Sequence, residues 1–299
     1  MNEKIDVLIP VYNGAKYIKR CIKSLETQTY ANINIIVLND GSLDDSLKIV
    51  EEMAKQDDRI KLYSKENEKS VSIARNYLLT KIESKYFIFV DADDVVSPTY
   101  LECLMKVIKE NDCKMACCEY TFFKAFLSKK TRPKSIKIYD SSDAIGAFVL
   151  GGRGHFMLWN KLIETSLIKN ISFNENINYG EDMFFILDVM HKNDIKVASI
   201  KNKLYYYKYF NFKSISKGGL NANKKVFLET LIKYEQEDRY FENTRIITTW
   251  IYLTATYFQF LAHFNKGQRD YKKYLNKVKK DRLKAVKEEL QRIVVVGRP

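Results

Sequence analysis

Residues 86–94 read YFIFVDADD: an apolar run from Tyr86 to Val90, then Asp91, Ala92, Asp93 and Asp94. A strand with one face in water alternates apolar and polar residues. A run that is apolar throughout belongs to a strand covered on both faces, as in a parallel sheet between two helical layers. The same pattern repeats upstream. Ile5–Pro10 (IDVLIP), Ile33–Leu38 (INIIVL) and Arg59–Ser64 (RIKLYS) are strand candidates. Each is followed by apolar positions at helical spacing: Ile18, Cys21, Ile22 and Leu25; then Leu47, Val50 and Ala54; then Val71, Ala74 and Leu78. Downstream, Pro98 suits the first turn of a helix carrying Leu101, Leu104, Met105 and Ile108. This alternation predicts an α/β fold with a mostly parallel sheet and helices on both faces. Ligands of such sheets bind at the carboxyl ends of the strands.

Those ends read Pro10-Val11-Tyr12-Asn13, Asn39-Asp40-Gly41-Ser42 and Asp91-Ala92-Asp93-Asp94. Carboxylates placed like Asp91, Asp93 and Asp94 suit a hard divalent cation that also touches phosphate oxygens. The plainer role is a solvated loop or a helix cap before Pro98. Asp40 is placed to accept a hydrogen bond from a base or ribose, or simply to form a turn and cap with Ser42 and Asp44. Arg75, one helix earlier than the apolar strand, either reaches a nucleotide or snorkels to solvent.

The rest of the chain narrows the class. Its 299 residues are 46% hydrophobic and 13% aromatic, enough for a core that needs no disulfide or metal staple. The 50 Lys and Arg against 37 Asp and Glu give +13. From Lys266 to Pro299, 12 basic residues stand against 4 acidic ones, so +8 of the +13 lies in the last 34 residues. The charge belongs to a tail and does not make the body a nucleic-acid binder. Cys21, Cys103, Cys113, Cys117 and Cys118 show no zinc or disulfide spacing and read as buried thiols. The N-terminus lacks the pattern of a secretory signal, which makes the cytoplasm the expected compartment. There is no GxGxxG, GxxxxGK[ST] or GxSxG, which disfavours dinucleotide oxidoreductases, P-loop kinases and serine hydrolases. His155, His191 and His263 form no metal spacing.

In order along the chain, IDVLIPVYNGAKYIKRCIKSLETQTY, IIVLNDGSLDDS, SIARN, YFIFVDADD and YGEDMFF resemble the family 2 inverting glycosyltransferases of the GT-A fold, over residues 4–217. The resemblance implies a metal-dependent transfer from a nucleotide-diphosphate sugar, a UDP-sugar, to a glycan or lipid-linked acceptor in bacterial surface polysaccharide or glycolipid synthesis. It places Pro10, Tyr12 and Asp40 around the base and ribose, Arg75 at a nucleotide-facing position, and Val11, Asn13, Asp91, Ala92 and Lys161 among the other residues that bind the nucleotide sugar. Asp93 and Asp91 become ligands of Mn²⁺ or Mg²⁺, with Asp93 the direct one. Asp182 becomes the catalytic base with Glu181 beside it, where a helix-start carboxylate favoured by the macrodipole is the plainer role. Trp159-Asn160-Lys161, and Tyr207-Lys208 through Ser214, resemble loops that close over the diphosphate. Asn39 stands where the family commonly has Asp, and Ser70 where it commonly has Gly. A sugar nucleotidyltransferase is disfavoured because PVYNGAKY is not the Gly-rich basic loop that class uses. An inactive basic binding module is disfavoured by the intact Asp40, Asp91, Asp93 and Asp182.

The catalytic domain is expected over 1–217, with a nucleotide-sugar half at 1–112 and an acceptor half at 113–217. Gly218-Gly219 opens a helical region, 218–299. Within it, Ile246–Phe264 is an uncharged stretch of 19 whose four Thr, Gln259 and His263 predict a packing helix rather than a membrane span. The run beyond, with Tyr271, Tyr274, Leu275 and Val278 among many Lys, predicts a basic amphipathic helix suited to an anionic membrane surface.

Overall fold

The computed structural model describes residues 3–122, 127, 131–149, 156–208, 222–236, 276–280 and 283. The strands are β1 (Ile5–Val11), β2 (Ile33–Asp40), β3 (Ile60–Lys65), β4 (Tyr86–Phe89), β5 (Val95–Val96), β6 (Met115–Thr121), β7 (Lys137–Tyr139), β8 (Lys161–Glu164) and β9 (Val197–Tyr206). The helices are α1 (Ile18–Glu26), α2 (Ser46–Ala54), α3 (Val71–Leu79), α4 (Tyr100–Glu110), α5 (Ser141–Val149), α6 (Glu181–Lys192) and α7 (Ala222–Gln236). The strands form one sheet in the order β3-β2-β1-β4-β8-β6-β9-β5, with β7 also on β9.

The first half of the sheet, β3-β2-β1-β4, is parallel throughout. Past β4 it continues through the antiparallel β8, and β6 then pairs parallel with β9. Parallel pairing brings the carboxyl ends of β1, β2 and β4 to one edge. All eight residues of β2 are buried, and Ile5, Val7, Leu8 and Ile9 of β1 are wholly so. This double burial is why both strands read as nearly unbroken apolar runs.

Three local features differ from the sequence expectation. In α2 the buried residues are Ser46, Val50 and Met53, because the Ser46 hydroxyl is drawn inward to accept the Gly14 N–H at 2.8 Å. Pro98 precedes the Thr99 N-cap of α4 instead of opening its first turn, and its carbonyl accepts the Thr29 N–H. The two-residue β5 exists only because Val95 and Val96 pair with Tyr206 and Tyr205 of β9. All five cysteines are buried and unbridged.

One buried carboxylate fastens the start of the sheet. Asp6 of β1, wholly buried, accepts Asn34 Nδ2 and the Ser84 hydroxyl on Oδ1, and the Glu83 and Ser84 N–H groups on Oδ2, all within 2.7–2.8 Å. Removing it strands several buried donors, each worth about 1–3 kcal/mol. Asp6→Ala is therefore expected to lower the free energy of unfolding by about 3–5 kcal/mol, read from denaturant midpoints. A loss below about 1 kcal/mol would show the donors finding water instead.

The chain divides into two compact units, Met1–Phe210 and Asn211–Pro299. In the second, α7 buries Phe227, Leu228 and Leu231. Residues 276–280 are helical, with Val278 buried. Gly218-Gly219, the stretch 246–264 and most of the basic run lie outside the described residues, as do His155 and His263. Among the described residues no helix is long and apolar enough to cross a membrane.

Candidate active site

The strand ends meet as the topology requires. Asp40 closes β2 and is buried; Lys65 Nζ lies 3.0 Å from its Oδ1, and Asn67 Nδ2 donates to its Oδ2 at 2.8 Å and to its carbonyl at 2.9 Å. Gly41, at φ +66°, makes room for this contact: a Cβ there would stand 2.6 Å from the Asn67 nitrogen. Asn39 is turned into the sheet, where Nδ2 donates to Ser64 Oγ on the neighbouring strand. The departure from the family pattern thus sits on a cross-strand bond, and the Asn39 Oδ1 also accepts the Ser42 N–H of the edge loop at 3.4 Å. Asn13, with φ +50°, ties the end of β1 to the β2 loop: its N–H donates to Ser42 Oγ and its Oδ1 accepts the Leu43 N–H. Tyr12 is 53% exposed on this rim. Val11 points into the core, so only its backbone faces the edge; strand alternation separates it from Tyr12.

The acidic loop after β4 is split in function by its contacts. Asp91 donates its N–H to the Tyr205 hydroxyl at 3.1 Å, and its Oδ1 lies 3.8 Å from Arg75. Burial pushes the Asp91 carboxyl up to about 7; Arg75 opposes this, and the charges of Asp182, Asp93 and Glu181 add to it. Asp93 is half-buried, and its carbonyl accepts from Arg20 at 3.0 Å. Asp94 is buried, its Oδ1 accepts the Lys208 N–H at 2.7 Å, and burial with Asp91 and Asp93 drives its carboxyl well up. Asp94 therefore fastens the chain leaving β9, while Ala92, Asp91 and Asp93 stay nearer the surface.

Arg75 does not snorkel. It is only 5% exposed, and NH1 lies 2.5 Å from Glu181 Oε1 and 2.6 Å from Asp182 Oδ1. The helix carrying it is latched to the chain before α6: the Ser72 hydroxyl donates to Ile177 O, while Asn76 donates to Phe173 O and accepts the Phe173 N–H. Gly180, at φ +74°, caps α6 and turns Glu181 and Asp182 into its first turn. Asp182 Oδ2 also accepts the Leu158 N–H at 3.2 Å. Burial raises the Glu181 carboxyl against the pull of Arg75.

Lys161 is the first residue of β8. It is wholly buried, with its ammonium donating to Met157 O and Asn160 Oδ1. Burial pushes it down to about 8. It ties down the loop before β8 through these two bonds. Trp159 is likewise buried, stacked on Tyr205 at 4.2 Å. Lys208 carries its ammonium 3.3 Å from the centre of the Tyr17 ring, and residues from 209 to Ser214 lie outside the described set. Lys65, Asn67 and Tyr205 were not predicted; none has a sequence signal, since each meets its partner only through the fold.

The donor set suits a hard cation in one respect. Among the described residues no group of three or more His, Cys, Asp or Glu stands at ligating distance, but Asp91 and Asp93 offer oxygen donors in a region of excess negative charge. A pair of carboxylates completed by substrate phosphates is how Mg²⁺ is commonly held.

Fold and site together define a glycosyltransferase of the GT-A type. The chain belongs to glycosyl transferase family 2, whose sequence profile matches residues 6–190. It is 32% identical over 236 residues to glycosyltransferase GlyA of Streptococcus pneumoniae, an alignment covering 74% of this chain and 32% of that one. The chain thus spans about a third of that relative. In structure it is similar to residues 1–349 of S. aureus TarS in complex with UDP-GlcNAc, with TM-score 0.74, 20% identity, and 95% and 81% of the two chains covered. It is also similar to the mannosyltransferase PcManGT of Pyrobaculum calidifontis in complex with GDP-Man and Mn²⁺, with TM-score 0.59, 11% identity, and 97% and 87% covered.

Proposed function

We propose that this glycosyltransferase is metal-dependent and inverting, and moves a sugar from a UDP-sugar to a hydroxyl of a glycan or lipid-linked acceptor in surface polysaccharide assembly. The observation that carries the reading is Arg75, which joins the acidic loop after β4 to the carboxylate pair opening α6. A donor-side acid pair and an acceptor-side acid pair then face one reaction centre.

At the base end, the Asp40 carboxylate accepts and cannot donate, which suits the imide N–H of uracil and disfavours cytosine, whose corresponding nitrogen is an acceptor. Lys65 and Asn67 hold that carboxylate in place. The bases in the TarS and PcManGT complexes, uracil and guanine, both carry such an N–H. Asp91 and Asp93 would hold Mn²⁺ or Mg²⁺, which when bound neutralises charge on the departing diphosphate. Asp182 takes the proton of the acceptor hydroxyl as the new oxygen–carbon bond forms and the bond from the anomeric carbon to the diphosphate breaks. One displacement without an enzyme nucleophile inverts the anomeric centre. Leu158 N–H and Arg75 fix the Asp182 oxygens, leaving Glu181 to balance the guanidinium. The basic C-terminal region is suited to keep the enzyme on an anionic membrane face at the cytoplasmic side.

Calorimetric titration of UDP with and without Mn²⁺, on the natural chain and on Asp93→Ala, tests this. Binding is expected to require the ion and to weaken at least about tenfold in Asp93→Ala, with CDP binding worse than UDP. Equal UDP affinity with and without Mn²⁺ would remove the metal from the reading. CDP binding as well as UDP would remove Asp40 from base selection.

A further inference from the structure

We infer that Tyr205 is a positioning residue of the transfer site: its hydroxyl fixes the acidic loop after β4, and its ring fixes the segment whose backbone is bound by Asp182, so that the two acid groups keep one spacing. This rests on the metal-dependent transfer reading and adds to it the residue that sets the demand for the ion.

Burying a hydroxyl costs free energy unless it is hydrogen-bonded. Tyr205 is wholly buried in β9, and its hydroxyl meets the N–H of Asp91, the residue that opens the acidic loop, at 3.1 Å. Burial and the charges of Asp94 and Asp91 hold that hydroxyl well above its usual range, so it stays neutral and accepts through a lone pair. The far end of the loop is tied to the same strand. Val95 and Val96 pair with Tyr206 and Tyr205, and the Ser97 N–H donates to Leu204 O at 2.8 Å. From the other side α1 reaches in, Arg20 donating to Asp93 O at 3.0 Å and Cys21 Sγ to Asp91 O at 3.5 Å. The loop backbone is thus gripped at both ends by β9 and between them by α1. Carboxylates carried on such a loop lose little freedom when an ion binds.

The ring of Tyr205 makes the second connection. It stacks on Trp159 with centroids 4.2 Å apart and planes 21° apart, and Tyr100 meets it edge-on at 6.0 Å. Tyr100 in turn donates its hydroxyl to Trp159 O. Trp159 directly follows Leu158, whose N–H donates to Asp182 Oδ2 at 3.2 Å. From Asp91 to Asp182 the path runs through hydrogen bonds, one ring stack and one peptide link, and Tyr205 is the residue common to both halves. Arg75 joins the two acid groups by charge, approaching Asp91 no nearer than 3.8 Å. Tyr205 joins their backbones, which is what fixes the spacing between an ion and a base.

Tyr205→Phe tests the hydroxyl alone, because the ring and its stack remain. Tyr30→Phe is the control: it also removes a tyrosine hydroxyl bond, to Glu3 O, at the end of β1 away from the site. Two quantities are read on the full chain. One is amide exchange over residues 89–94 of the metal-free protein, followed by mass spectrometry; the other is the Mn²⁺ concentration for half-maximal UDP binding, from calorimetry. In Tyr205→Phe, exchange at Asp91 is expected to quicken and the Mn²⁺ demand to rise, each by about three- to tenfold. UDP affinity at saturating Mn²⁺ should stay within about two-fold, and Tyr30→Phe should change none of these. An unchanged Mn²⁺ demand in Tyr205→Phe overturns the positioning role, whatever the exchange does. An equal rise in Tyr30→Phe overturns it too, by showing a general loosening. If the natural chain binds UDP alike with and without Mn²⁺, the metal reading fails by itself. Tyr205 is then judged by nucleotide affinity: a loss of about three- to tenfold confined to Tyr205→Phe upholds the role, and no loss sinks it. Binding of GDP and not UDP fails the uracil assignment alone, and the same comparison is read with GDP.

Discussion

Asp182→Asn is expected to cut the turnover of sugar transfer by about 10²–10⁴-fold while UDP affinity stays within about two-fold. The amide keeps the volume of the carboxylate, and its oxygen can still accept the Leu158 N–H that the native Oδ2 receives at 3.2 Å. What it cannot do is pair as an anion with Arg75, whose NH1 lies 2.6 Å from the native Oδ1, or take a proton from the acceptor hydroxyl of the proposed reaction. The loss should therefore fall on kcat, with the Michaelis constant for the donor little changed. Glu181→Gln is expected to cost less in turnover, since Glu181 is the less exposed of the pair, 12% against 19%, and is held by the same NH1 of Arg75. The measurement is steady-state transfer from the UDP-sugar identified by binding. Equal losses in the two variants would show that the pair acts as one charged unit; a larger loss in Glu181→Gln would exchange their roles.

Arg75→Met should destabilise the fold by about 3–5 kcal/mol. The native guanidinium, 6% exposed in its side chain, is the one cation in contact with Glu181, Asp182 and Asp91 for which the described residues show ion pairs. Without it, Asp91 and Glu181, whose charged forms burial already disfavours, are left beside Asp182 without their guanidinium. The loss should depend on pH. The Asp91 carboxyl, near 7 even beside Arg75, and the raised Glu181 carboxyl bind protons in the folded chain before they do in the unfolded one. Stability of metal-free protein therefore rises as pH falls from about 8 toward the unfolded carboxylate range near 4. The deficit of Arg75→Met should be largest at the alkaline end and shrink on acidification. Arg75→Lys is not expected to restore the fold, because a single ammonium cannot span Glu181, Asp182 and Asp91 as the planar fork does. Urea midpoints from pH 5 to 8 decide this, and a deficit independent of pH would mean that lost packing against the Phe173 ring, 5.6 Å from the guanidinium, dominates.

The parallel half of the sheet was legible in the amino-acid sequence because it depends on a local property. A strand buried on both faces must be apolar along its length, and β1, β2 and β4 declare this residue by residue. The positions of Asp40, Asp91 and Asp93 followed, since parallel strands must end on one edge. The ordered motifs also located Glu181 and Asp182 at a helix start, where α6 begins. The sequence could not tell a snorkelling Arg75 from a buried one. Its partners lie 106 and 107 positions away, and they meet it only because α3 is latched to residues 173–177. The same holds for Lys161, which reads as a loop residue beside Trp159 and Asn160 but is drawn into β8 by its pairing with β4 and β6. Asp94 looks like a third ligand in the DADD run, yet it is buried and one of its oxygens is taken by the Lys208 backbone. Periodicity encodes which face of an element is covered, and so decides the layers and the edge where chemistry collects. Which charge stands against which is decided by contacts between distant segments, and these exist only once the sheet has closed.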